Sequence, residues 1–219
     1  MAKAGFLSAL FSITDEQAMW RVQQQDDHEA FARLVARWEE PIRRLCIRMT
    51  GDTHRGEDLK QEAFVRAFAR RQEFKLDQRF STWLWRIALN LCYDELRRVR
   101  RRREQSVEGL GEEGGDGFED LATDAPAPDA QTAAGEEAEL VRRALWRLPE
   151  NYKTVLVLRH YEGLKIREIA EILEIPEGTV NWRLTEGLAQ MQALLEVQLA
   201  RQKTDRRPLR KDRTEMFVL

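Results

Sequence analysis

A chain of 219 residues with 42% hydrophobic content can build one or two helical or mixed cores, and its formal charge of −2 is close to neutral. No apolar run approaches membrane-spanning length. His28, His54 and His160 are scattered, and Cys46 and Cys92 lack partners at metal-ligand spacing, so no catalytic residue, metal or cofactor is expected. Both cysteines sit inside helical patterns and read as small buried apolar groups in a reducing cytoplasm.

The near-neutral total hides an asymmetry. Between Glu104 and Glu139 there are twelve acidic residues and no Lys or Arg. Setting that segment aside leaves +10 for the rest of the chain. Basic folded parts joined by an acidic segment point to an anionic partner, most often nucleic acid.

The first seventeen residues, MAKAGFLSALFSITDEQ, carry one lysine and a short apolar patch with no convincing cleavage site. They read as a packed or frayed segment, not a signal peptide. Residues 15–103 then read as helices throughout. Asp27 is placed to cap a helix that carries Phe31, Leu34, Val35 and Trp38 and runs past Pro41 through Leu45 and Met49. GDTHRGED punctuates it, and Leu59, Ala63, Ala67 and Phe68 mark a second helix. Phe74–Phe80 is a loop.

The stretch Arg79–Arg103, RFSTWLWRIALNLCYDELRRVRRRR, is the most informative in the chain. Trp83, Arg86, Asn90, Arg97 and Arg101 share one helical face, while Leu84, Ile87, Ala88, Leu91, Leu96 and Val99 lie opposite as a core stripe. Aromatic rings that stack on unpaired bases, beside cations that neutralise a backbone, suit single-stranded nucleic acid. A solvated basic helix with a tryptophan tucked into the core fits the same pattern.

Residues 104–135 contain GLGEEGGDG and DAPAPD and bury too little apolar surface to offset their ordering entropy, so they read as a flexible acidic linker. Helical patterning returns at Glu136. Within Ile166–Thr185, Ile169, Ala170, Leu173, Ile175, Val180 and Leu184 fit a helix-turn-helix, with Pro176 opening its second helix. Val180, Leu184, Leu188, Met191 and Leu195 are expected to form a core stripe behind that helix. Gly178 and Thr179 permit close approach to phosphate. Asn181, Trp182, Arg183 and Thr185 are expected to face a major groove, and Lys165 and Arg167 suit phosphate contacts. The tail 198–219 is mostly basic and reads as disordered.

With these halves in this order, the chain resembles the extracytoplasmic-function (ECF) group of bacterial sigma factors over residues 15–103 and 136–195. DLKQEAFVRAF (Asp58–Phe68) resembles the helix that grips the polymerase clamp, the basic helix resembles the minus-ten reader, and LPENYKTVLVLRHYEGLKIREIAEILEIPEGTVNWRL resembles the minus-thirty-five reader. The resemblance implies an all-α protein of two small domains: 15–103 as region 2, 104–135 as linker, 136–197 as region 4. It implies core RNA polymerase, promoter DNA and an anti-sigma factor as partners, with no membrane contact of its own. It assigns Asp58, Gln61, Glu62 and Arg66 to polymerase. It assigns Phe80, Ser81, Thr82, Trp83, Arg86, Asn90, Arg97, Arg98 and Arg101 to the minus-ten strand, with a flipped base held near 75–80; for Phe80, simple core packing is the competing reading. Lys165, Arg167, Gly178, Thr179, Asn181, Trp182, Arg183 and Thr185 fall to the minus-thirty-five element.

Two features depart from the family pattern. Glu174 stands where the turn usually has glycine, and Thr185-Glu186-Gly187-Leu188 replaces further basic residues. A sigma-like decoy that occupies an anti-sigma partner, or a dimeric helix-turn-helix repressor, are the alternative readings.

Overall fold

The computed structural model describes residues 13–107 and 133–205. Among them every regular element is helical: α1 (Asp15–Gln25), α2 (His28–Thr50), α3 (Thr53–Ala69), α4 (Phe80–Val107), α5 (Ala133–Arg147), α6 (Glu150–Leu156), α7 (Ile166–Leu173) and α8 (Glu177–Asp205). A single 3-10 turn, Arg71–Glu73, follows α3, and a π-helical turn, Val157–Tyr161, extends α6.

Side-chain caps begin the first three helices. Thr14 and Gln17 form a reciprocal capping box on α1, Asp27 accepts from the Ala30 N–H at 2.9 Å, and Asp52 accepts from the Arg55 N–H at 2.9 Å. The α2–α3 hairpin is tight because Gly56 has no side chain. A Cβ there would lie 2.4 Å from Ile47 Cγ1 and 2.9 Å from the Ile47 backbone nitrogen. Met19, Val22, Leu34, Ile42, Leu45, Met49, Phe80, Leu84 and Leu89 are buried in the α1–α4 core. Each such side chain contributes roughly 1.5–3 kcal/mol by leaving water.

The second half packs Leu145, Leu148, Val155, Leu158, Ile169, Val180 and Leu184. Its core stripe on α8 differs from expectation. Leu188 is 49% exposed, and Gly187 takes the buried position. A Cβ on Gly187 would sit 3.2 Å from both Leu156 Cδ1 and Tyr152 Cβ, so the glycine lets α8 approach α6 closely. The turn of the helix-turn-helix is closed by Glu174 at φ +55°, a left-handed conformation held by a non-glycine residue.

Helices also run further than the composition suggests. α4 continues to Val107, α5 begins at Ala133 and α8 reaches Asp205, so parts of the expected linker and tail are helical. Charged residues with good helix propensity extend a helix already anchored by packing. The N-terminal twelve residues, the acidic residues 108–132 and the tail beyond 205 lie outside the described residues.

The two halves share one continuous core. Trp146 of α5 covers Gly51 at the end of α2. The Tyr93 hydroxyl on α4 is 2.8 Å from Thr154 Oγ1 on α6. Lys153, 5% exposed, donates to the Met49 carbonyl at 3.4 Å. Glu162, which follows the π turn, accepts from Arg44 and Arg48 of α2 at 3.1 Å each.

Candidate nucleic-acid interface

The N-terminal half of α4 is built on an aromatic cluster. Phe80 is fully buried, 5.9 Å from Phe74 and 6.1 Å from Trp83 between ring centroids, and its N–H donates to Glu16 at 3.0 Å. This corrects the expectation that Phe80 stacks on a base: the ring is a core residue that supports the loop. Thr82 is largely buried too, at 8% exposed, while Ser81 is half-buried. Trp83 remains half-exposed, leaning on Phe74 at 5.4 Å, and Asn90 is exposed on the same face about two turns along. Together they present a ring and an amide at the spacing the sequence implies.

Arginines continue the stripe. Arg97, Arg98 and Arg101 are exposed on the second half of α4. Arg98 is held by the buried Glu95 at 2.5 Å, and Arg97 lies 3.8 Å from Asp94. Arg86 differs from these. Its guanidinium is engaged by the second half of the molecule, bonding the Glu171 and Ile172 carbonyls and the Glu174 carboxylate.

On the helix-turn-helix, Asn181, Trp182 and Thr185 are exposed along α8, with Gly178 exposed and Thr179 half-buried at its start. Trp182 is 56% exposed and rests edge-on against Tyr152 at 5.9 Å. Lys165 and Arg167 are exposed at the front of α7, Arg167 pairing with Glu171 at 3.1 Å. Arg183 departs from the expected set. One residue past Trp182 it turns by about 100° and lines a cleft of about 1010 Å³ between the halves, with Tyr93, Trp146 and Lys153. Its buried Nε has no hydrogen-bond partner.

The third surface is on α3. Asp58 and Gln61 are exposed, Glu62 is half-exposed and Arg66 pairs with it at 2.7 Å. Val65, 62% exposed, sits one turn from Gln61 and Glu62 and gives this face an apolar centre. It lies two residues from Ala63, opposite the Leu59, Ala63 and Ala67 stripe, so the helical period itself signals its exposure. The cysteines are buried as read, and the Cys46 thiol beside it together with burial pushes the Cys92 thiol well up. Among the described residues there is no cluster of metal-ligating side chains, and no helix is long and apolar enough to cross a membrane.

An arginine-lined helix beside an exposed amide and indole, joined to a helix-turn-helix, defines a protein that reads DNA through two helical modules. Comparison with known proteins gives the family. Residues 34–102 match the model of sigma-70 region 2, and residues 138–191 that of sigma-70 region 4. The chain is 37% identical over 169 residues to the ECF RNA polymerase sigma factor SigW of Bacillus subtilis, covering 76% of this chain and 90% of that relative. It is 34% identical over 172 residues to the RNA polymerase sigma-H factor of Pseudomonas aeruginosa, covering 78% and 88%. The solved structure of CnrH in complex with the cytosolic domain of CnrY has the same fold, with a TM-score of 0.60 at 22% identity over 84% of this chain and 97% of that one. So does the sigma factor RpoE of Bartonella quintana, solved with the anti-sigma factor NepR, at a TM-score of 0.58 and 22% identity over 76% and 97%. The chain belongs to the ECF group of the sigma-70 family. It is a non-enzymatic initiation factor that directs promoter recognition through regions 2 and 4.

Proposed function

We propose that the three surfaces divide the work of initiation in the cytoplasm. The α3 face, Asp58, Gln61, Glu62 and Val65 with Arg66 at its edge, docks on core RNA polymerase. Trp83 and Asn90 take an unpaired base of the minus-ten strand, and Arg86, Arg97, Arg98 and Arg101 hold its backbone. Asn181, Trp182 and Thr185 read the minus-thirty-five duplex, with Lys165, Arg167 and the backbone at Gly178-Thr179 on its phosphates. An anti-sigma protein is the proposed inhibitor, in keeping with membership of this family.

The observation that carries the reading is the α4 stripe. A half-exposed indole, an exposed amide and exposed guanidiniums follow one another on one face, anchored by a buried aromatic cluster. Melting then needs no catalytic group. Binding the open strand better than the duplex shifts the population toward open DNA. Run-off transcription with bacterial core polymerase, on promoters selected from the source genome, tests this. Specific initiation by the wild type that collapses in Trp83→Ala/Asn90→Ala supports strand capture on α4. Tight core binding without initiation leaves a decoy, and no core binding removes the polymerase role.

A further inference from the structure

We infer that α1 is the template on which the minus-ten base site is built, with Gln23 and Glu16 as positioning residues that fix the two ends of the loop 75–79. The inference rests on the reading that Trp83 and Asn90 take an unpaired base.

The loop leaves the core at Phe74 and returns to it at Phe80, and these two rings lie 5.9 Å apart. Trp83 leans on both of them, so the loop stands beside the ring that takes the base. Within the loop the Gln78 N–H bonds the Lys75 carbonyl at 3.1 Å, while Lys75, Leu76, Asp77 and Arg79 are exposed. A short exposed turn has little packing of its own, so its position is set by where its ends are held.

Both ends are held from α1. The Gln23 amide nitrogen donates to the Arg71 carbonyl at 2.6 Å and to the Phe74 carbonyl at 2.8 Å. Carbonyls that end a helical segment have spare acceptor capacity, and one primary amide serves two of them because its nitrogen carries two hydrogens. The grip is returned from the other side. Gln72 Nε2 donates to the Gln23 carbonyl at 3.1 Å, and Arg71 Nη2 lies 3.2 Å from Asp26 Oδ1.

At the far end of the loop, Glu16 Oε1 accepts from the Phe80 N–H at 3.0 Å. Phe80 opens α4, and Arg79 before it has no side-chain oxygen to act as a cap. Glu16 supplies that cap from another helix, and its carboxylate stands at the positive end of the α4 dipole. A recognition site carried partly on a loop reaches a fixed geometry only through supporting contacts of this kind, and a looseness of about 1 Å is enough to lose it.

The test uses the chain bound to core polymerase. A single-stranded oligonucleotide is selected from a random pool on the wild-type complex and remade with each of the four bases at every position. Fluorescence anisotropy then gives the base preference at each position. The captured base is the one whose preference collapses in Trp83→Ala/Asn90→Ala. Gln23→Met keeps the side-chain length without the donors, and Glu16→Met does the same without the acceptor. Each should reduce the preference at the captured base about tenfold, the ratio that ~1.4 kcal/mol sets, with affinity for polymerase unchanged. Glu16→Gln retains an acceptor oxygen and should keep the preference. Urea melts establish that the variants are folded, and Glu16→Met serves where Gln23→Met folds poorly. A merely structural loss weakens all strands alike and leaves the ratio between bases intact. Unchanged preference in a folded Met variant, a loss in Glu16→Gln equal to that in Glu16→Met, or a loss spread evenly over all positions overturns the inference and leaves strand capture standing. A preference that Trp83→Ala/Asn90→Ala leaves intact at every position overturns strand capture on α4 and this inference with it.

Discussion

Gly51 lies directly beneath the indole of Trp146, so that a Cβ built on it would stand 2.7 Å from Cε2 and 2.9 Å from Cζ2. One glycine thus serves two ends. It closes α2 at φ +78°, with its N–H on the Ile47 carbonyl, and it seats an aromatic ring from the other half of the molecule. Gly163, at φ +69°, has the same backbone requirement and nothing within 4 Å of its missing Cβ. The pair separates backbone strain from overpacking. Gly163→Ala should cost about 1–2 kcal/mol from the left-handed conformation alone. Gly51→Ala should cost roughly 2–4 kcal/mol by adding displacement of the indole. Urea unfolding of both variants checks this, and equal losses would mean that Trp146 moves aside freely.

Lys153 is the least comfortable charge in the interface. Burial pulls its ammonium pKa below the usual lysine value, and Glu150 and the region near Cys92 offset this only in part. The folded state therefore holds the Lys153 proton less tightly than the unfolded chain does. The resulting penalty is fully present below the folded pKa and is relieved as pH rises toward the unfolded value near 10.5. Lys153→Met should raise stability at neutral pH by about 1 kcal/mol, since replacing a buried charge by an apolar group is often stabilising. That gain should shrink as pH rises toward the unfolded value near 10.5, because Lys153 loses its proton in the folded state first. Denaturant midpoints of wild type and variant across that range report it. A gain that grows with pH would contradict the assignment.

The sequence carried much of this architecture and little of its interdomain contacts. The Asp27 cap, the passage of α2 through Pro41 and the buried cysteines were legible because each is set by residues within a few positions, and the Glu174 turn because the family resemblance places a turn there. Arg183 and Leu188 were misjudged on α8. A helical stripe tells which residues share a face but not where a neighbour crosses it, and here α6 crosses at Gly187. Phe80 was ambiguous for the same reason: an aromatic at a helix start packs or stacks according to what Phe74 and Trp83 do. The engagement of Arg86 by α7 joins residues more than eighty positions apart, beyond the reach of any local pattern.

Val65 offers a test of the polymerase surface that leaves the fold alone. It is 62% exposed and flanked by Gln61 and Glu62, so its isopropyl group contributes little to the core. Val65→Asp should leave the unfolding midpoint within about 0.5 kcal/mol, as surface substitutions generally do. Affinity for core polymerase should fall about tenfold or more if Val65 is desolvated on docking, because the new carboxylate would be buried unpaired. Titration of labelled polymerase with both proteins, alongside urea melts, measures the two effects separately.

Trp182 and Arg183 are neighbours in sequence and opposites in structure. The indole is 56% exposed on the outer face of α8, whereas Arg183 lines the cleft between the halves with its Nε buried and unpartnered. Base-edge or methyl contacts in a major groove are worth about 1–3 kcal/mol each. Trp182→Ala should therefore lower transcription from promoters that depend on the minus-thirty-five element by about ten- to a hundredfold, and the defect should vanish on templates where that element is dispensable. Arg183→Ala should cost less than about threefold on either template, because losing a cleft-lining side chain removes no base contact. If Arg183→Ala proved the more damaging on promoters that need the upstream element, Arg183 would reach DNA once region 4 leaves region 2 and the cleft between the halves opens.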